Sequence, residues 1–242
     1  GILADAPRAG KCQRRRGGAE GAFVFDPCPC RCLCFRTNRR DVEKMKRMLK
    51  AVLVLAAGIP IGLCFAISLM PDVYIVPFEN VPVDAAQVWG EYMAHDLDIR
   101  VKVLDTVAYP SDSFNFMRRQ FIAEALADSI VRIRQNMLFK KPQAAFIGII
   151  TRDMYPTSRD WRYCYALNLL EGERKGISIV STERLIPAAG NDQQVFNVRF
   201  YKLLKRAIGF QFYQYNATMD RDTVMYGPLL SVEDLDRMGT KY

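Results

Sequence analysis

Side chains able to do acid–base, nucleophilic or metal chemistry are few in this chain, and their spacing restricts each one. His95 is the sole histidine in 242 residues, so a zinc site built on two or three imidazoles is out of reach. A Ser-His-Asp relay would have to use the same residue. No G-x-S-x-G accompanies it, and in Tyr92-Met-Ala-His-Asp-Leu97 it stands at the end of a predicted helix, the place of a cap or surface group. Asp220 and Asp222 flank Arg221. Carboxylates two apart can serve acid–base work or hold a hard cation, but in a polar loop they read as turn residues. Cys164, set between Tyr163 and Tyr165 in a predicted strand, reads as a buried inert thiol rather than a nucleophile. Cys28, Cys30, Cys32 and Cys34 form C-x-C-x-C-x-C, which lacks the pair spacing of ordinary zinc modules. No glycine loop that could cradle a phosphate is present, and no cofactor is implied.

The formal charge of +8 raises nucleic-acid binding, and its distribution argues against it. Residues 1–50 hold 13 Lys/Arg and 5 Asp/Glu, whereas residues 51–242 hold 21 of each sign. The folded part therefore has no net basic field for phosphates. Cysteine is as lopsided, with Cys12, Cys28, Cys30, Cys32, Cys34 and Cys64 early and Cys164 alone later. The larger part has no internal disulfide to offer, which suits an exported bacterial domain with a core of this size.

The elements that must position any site follow from hydrophobic periodicity. Residues 73–78 read as a buried strand, 84–97 as a helix with Ala85, Val88, Trp89 and Met93 on one face, and 101–107 as a second strand. Residues 114–137 read as one long amphipathic helix carrying Phe121, Ala125, Ile130, Ile133 and Met137 inward. The fully apolar stretch 144–151 predicts a central strand. Two more strands, 163–170 and 176–181, flank the charged turn 171–175; helices follow at 193–215 and at 231–238, the latter opened by a Ser231/Asp234 capping box. The order β-α-β-α-β-β-β-α predicts one α/β domain with a mixed sheet and long helices.

Upstream, residues 51–70 (AVLVLAAGIPIGLCFAISLM) contain no charge and follow Lys44, Lys46, Arg47 and Lys50. Twenty apolar residues match the bilayer core, and the cationic flank orients the N-terminus to the cytoplasm. The expected organisation is an unstructured or spurious leader over 1–44, a signal anchor or transmembrane helix over 45–71, and a folded domain over 72–242. Met45 heads the stretch in the manner of an exported bacterial protein. The expected location is the cytoplasmic (inner) membrane, single-pass, with the C-terminal domain on the extracytoplasmic, periplasmic side. Ala66-Ile67-Ser68 leaves open the alternative of secretion after signal cleavage.

Four segments resemble the archaemetzincins, a metzincin-type family of predicted zinc-dependent proteases: Ile147–Tyr155 (IGIITRDMY), Ile177–Leu185 (ISIVSTERL), Tyr201–Phe212 (YKLLKRAIGFQF) and Val224–Asp236 (VMYGPLLSVEDLD). The resemblance implies, in turn, an apolar strand followed by an aspartate, an edge strand with an arginine-leucine pair, the active-site helix, and a methionine turn with a closing helix. Such enzymes carry H-E-x-x-H-x-x-G-x-x-H, in which histidines hold zinc, the glutamate is the general base, and the glycine turns the chain so that the third ligand returns.

With Gly209 in register with the motif's glycine, Lys202 and Arg206 fall at the first two ligand positions, Leu203 at the base and Phe212 at the third ligand. Protonated Lys and Arg repel a dication, and leucine takes no proton. Gly209 is left a turn or a close approach, and Met225 the packing beneath the site. Lys202 and Arg206 suggest either an anion-binding pocket or a solvated cationic face shared with Arg199. Tyr213 and Tyr215 read as core and rim aromatics rather than a substrate shelf. The expectation is a membrane-anchored degenerate member without zinc, a pseudo-peptidase that binds or scaffolds a protein or peptide. The alternatives are a repurposed zinc-independent hydrolase in the same cleft, or a purely structural membrane protein.

Overall fold

A computed structural model of the chain describes residues 43–44, 46–48, 69–185 and 192–242. The leader and the apolar run expected to span the membrane lie outside the described residues, apart from a few positions around 43–48 and the last two of the run, Leu69 and Met70. Among the described residues, no helix is long and apolar enough to cross a membrane. Those from Leu69 onward belong to one compact unit.

Its frame is a five-stranded sheet in the order β2-β1-β5-β8-β7, with strands β1 (Val73–Pro77), β2 (Val101–Val103), β5 (Ala145–Ile150), β7 (Ala166–Leu169) and β8 (Ile177–Ser181). The first four in that order run parallel, and β7 pairs antiparallel with β8, which makes the sheet mixed. Side chains alternate between the two faces along each strand. Val73 and Ile75, with Ala145, Ile147 and Val180, meet one helical layer: α1 (Val83–Leu97) and α3 (Gln193–Gln211). Tyr74 and Val76, with Phe146, Ile177 and Ile179, meet the other, α2 (Ala123–Asn136). Both faces are covered, so β1, β5 and β8 are buried throughout, the arrangement that parallel strands require. Gly148 on β5 permits the close seating of α2, because a Cβ there would stand 2.8 Å from the Ile130 and Ile179 methyls.

The expected strand at 144–151 is central, as its apolar run implied. Other expectations are corrected. Residues 114–122 are not the first turns of a helix; they form β3 (Phe114–Asn115) and β4 (Gln120–Ile122), joined in a second sheet by β6 (Met154–Tyr155). The Asn115 side chain accepts the Arg118 N–H, and Arg119 takes a left-handed φ of 53°. Phe121 packs at a tilt against Tyr109 and Phe114 instead of joining a helix face, so α2 starts only at Ala123. In α1 the buried positions are Ala86, Gly90 and Met93, while Val88 is exposed. The strand of the segment 177–185 is interior, and β7 holds the sheet edge in its place. The last long helix stops at Gln211, four residues short of the expected end, and the closing helix α4 (Val232–Arg237) has its Ser231/Asp234 capping box in place.

Candidate functional site

Helix α3 carries the site. The Asp192 carboxylate accepts the Gln194 and Val195 N–H groups and opens the helix, satisfying donors left free by the first turn. From Arg199 on, nearly every position is buried, with Phe200, Leu203, Leu204, Ala207 and Ile208 in the core. Such a helix leaves no solvated face for charge. Arg199, Lys202 and Arg206 are only 6–7 % exposed, so the solvated cationic face considered for them is not formed.

Each of these cations spends its donors on the C-terminal segment. Arg199 holds Asp236 with two hydrogen bonds of 2.7 Å, and this pairing draws the Asp236 carboxyl below its ordinary range. The remaining Nη1 of Arg199 is buried with no partner among the described residues. Lys202 donates to the carbonyls of Leu235 and Asp236, both at 3.0 Å, at the electronegative end of α4. Arg206 donates from Nη1 to Val224 O at 3.1 Å and to Tyr226 O, clasping the backbone on both sides of Met225. Burial pulls the Lys202 ammonium down from its usual value and the Arg206 guanidinium down to about 10. At that value Arg206 remains a cation at neutral pH.

Leu203 is fully buried and Met225 is 3 % exposed in the same apolar cluster. Gly209 is a close approach and not a turn. The Met225 sulfur and the Tyr242 ring occupy the space a Cβ would need, while the Phe212 N–H bonds Ile208 O at 2.8 Å, so the helical ladder continues past the glycine. Phe212 caps the helix and packs edge-on against Tyr213. The chain therefore does not fold back at the third ligand position. The residues at Lys202, Leu203, Arg206 and Phe212 do not fit zinc, since two are protonated donors and two are hydrocarbons. Among the described residues, no group of three His, Cys, Asp or Glu side chains is placed to hold a metal ion.

His95 is exposed in the last turn of α1 and takes no part in this cluster. Asp220 and Asp222 are turn residues, the Asp222 N–H bonding the Asp220 carboxylate at 3.0 Å. Tyr213 and Tyr215 stack on each other and meet Tyr242 beyond the helix end, away from the cleft.

That cleft, of about 490 Å³, runs between β7 and α3. One wall is residues 163–168, the other Leu203, Arg206 and Phe210, and Pro228–Leu230 add to the lining. Arg206 reaches this wall, and Arg159 and Arg162 add two further cations. An anion pocket shared with Lys202 has only Arg206 on the cleft, because Lys202 turns to α4. Cys164 also lines the cleft, but burial pushes its thiol up to about 12, so it is no thiolate at neutral pH.

Sequence reasoning missed the ring of contacts that shapes the outer wall. Burial opposes ionisation of Glu124, yet the Thr157 and Ser158 N–H groups outweigh it and hold the carboxyl below its ordinary range. Asp153 receives Arg184 through bonds of 2.8 and 2.6 Å and Gln120 at 2.8 Å, and the Arg184 guanidinium stacks 3.7 Å over the Tyr163 ring. The only advance signal was the aspartate after an apolar strand and the arginine-leucine pair.

No family model matches the sequence, and no curated protein matches it. Solved structures do. The chain is similar to the archaemetzincin of Methanopyrus kandleri (20 % identity, TM-score 0.56, 72 % of this chain and 89 % of that one). It is also similar to the archaemetzincin of Archaeoglobus fulgidus, solved with malonate (22 %, 0.55, 70 % and 94 %). A zinc-dependent peptidase of Methanocorpusculum labreanum gives 20 %, 0.58, 70 % and 94 %. With the three-layer frame, the buried helix and the methionine beneath it, these likenesses establish that the chain carries the archaemetzincin fold.

Proposed function

We propose that this domain is a zinc-less relative of the archaemetzincins that captures an extended peptide in the cleft beside β7 and does not cut it. The observation that carries the reading is the Arg206 clasp. A protonated guanidinium bonded to the carbonyls on either side of Met225 ties helix to methionine turn where the solved relatives' enzyme class would use a metal-bound histidine. The base position is Leu203, and the cleft thiol is held protonated, so neither water nor a nucleophile is activated.

Peptide capture is supported by β7. As an end strand it has, among the described residues, one edge without a sheet partner, and such an edge accepts an added strand through main-chain hydrogen bonds. Tyr165 O accepts the Ser181 N–H, so by antiparallel alternation Ala166 and Asn168 turn their backbone groups outward. Arg159, Arg162 and Arg206 on the lining outnumber its one carboxylate, Asp160, and favour acidic side chains on the guest.

A membrane tether belongs to the same proposal. Residues 51–70 carry no charge and follow a cationic collar, which supports a single span with the domain outside the cytoplasm. The test is an anisotropy titration of the full chain in detergent with acidic and basic extended peptides, followed by mass analysis of the peptide. The reading expects acidic peptides to bind, to be recovered intact, and to bind equally with a chelator present. Chelator-sensitive cleavage would overturn it.

A further inference from the structure

The loops at the base of the sheet expose large apolar side chains that the described residues leave uncovered. Leu138 and Phe139, just after α2, are 89 % and 72 % exposed, and Leu69 is 60 % exposed. The loop that carries Leu138 and Phe139 is pinned to the point where the chain enters the domain. Lys141 Nζ lies 2.5 Å from Asp72 Oδ1, and the other Asp72 oxygen accepts the Arg100 N–H at 2.9 Å. Tyr213, whose hydroxyl donates to Leu97 O, leads the half-exposed Tyr215 and Tyr242 onto the same end.

We infer that this base is a lipid-contact face, with Leu138 and Phe139 seated in the bilayer interface. The inference rests on the tether proposed above and follows from its length. Only Pro71 and Asp72 separate Met70, the last residue of the apolar run, from Val73, the first residue of β1 and fully buried. Three steps of extended chain reach at most about 11 Å. The headgroup layer on each side of the hydrocarbon is roughly 5–8 Å deep, so a tether this short holds the base against the membrane. Exposed Leu and Phe gain there the burial that water denies them, Tyr215 and Tyr242 suit the interfacial zone, and Lys140 and Arg100 meet headgroup phosphates. A protein partner would need no such coincidence between the apolar loop and the point of chain entry.

The experiment uses the full chain in vesicles of equal parts phosphatidylcholine and phosphatidylglycerol, with the photo-crosslinker p-benzoylphenylalanine placed in turn at Phe139 and at Phe116. Phe116 is as exposed but lies beyond the far end of α2, a 14-residue helix about 21 Å long. The expected result is flotation with the vesicles and lipid adducts at Phe139 that exceed those at Phe116 at least tenfold. Flotation without an adduct at Phe139, with equal adducts at both, or with a protein adduct in place of lipid overturns the face and leaves the tether standing. Failure to float overturns the tether and the face together.

Discussion

The sulfur of Met225 lies 2.6 Å from the point where a Cβ on Gly209 would stand, and the Tyr242 ring lies 2.8 Å from it on another side. Glycine within a helix costs up to roughly 1 kcal/mol in propensity against alanine, so its presence here, in the last turn of α3, reflects space. Gly209→Ala is expected to lose about 1–2 kcal/mol in chemical unfolding through overpacking, despite the better helix former. Met225→Ala in the same chain should recover part of that loss, with a coupling above about 0.5 kcal/mol. Additive effects would show that the two residues do not meet.

Arg206 is expected to stabilise the contact between helix and methionine turn through its fork geometry. Arg206→Met keeps the apolar stem and leaves the Val224 and Tyr226 carbonyls without their donor, for a loss of about 2–3 kcal/mol. Arg206→Lys should rescue little, because an ammonium cannot reproduce the fork geometry. Unfolding midpoints of the three proteins give the ranking directly.

Helix α3 was legible because its apolar spacing is a local fact, and the central strand because it is apolar throughout. The burial of Arg199, Lys202 and Arg206 was not, since the carbonyls and the carboxylate that satisfy them lie 18 to 37 residues away, and charge on a helix ordinarily signals solvent. The hairpin at 114–122 was hidden for a similar reason. Its strands are two and three residues long and exist only through pairing with β6, while Phe121 and Ile130 happen to fit a helical stripe on paper. The cleft wall at 159–162 is loop, positioned by Glu124 through the Thr157 and Ser158 N–H groups and by Gln120 through the Arg162 carbonyl, and both of those side chains lie more than thirty residues upstream.

Acid should loosen the domain in a defined window. Asp236 and Glu124 are both held below the ordinary carboxylate range when folded, so the unfolded chain binds more protons than the folded one there. Their contribution is fully present above about pH 4 and is lost as pH falls through the lowered folded values. Thermal midpoints measured from pH 7 to pH 3 should drop below pH 4, and Asp236→Asn should start lower at neutral pH and fall less steeply.

Peptide capture on β7 predicts a specific backbone effect. Ala166→Pro removes an N–H directed away from β8, a position where an edge strand tolerates proline. Stability should change by no more than about 0.5 kcal/mol, while affinity for an acidic extended peptide should fall about tenfold, the worth of one hydrogen bond. Unchanged affinity in an anisotropy titration would remove β7 from the binding surface.

The proposal that side-chain cations stand where related enzymes would hold a metal is tested most directly by metal stoichiometry. The full chain, purified after expression with added zinc and dialysed without chelator, is analysed for bound metal by plasma mass spectrometry alongside an unfolding scan with and without chelator. Far less than one zinc per chain and superimposable unfolding curves are predicted. One zinc per chain, with a midpoint lowered by chelator, would contradict the conclusion that Lys202, Leu203, Arg206 and Phe212 form a metal-free cluster.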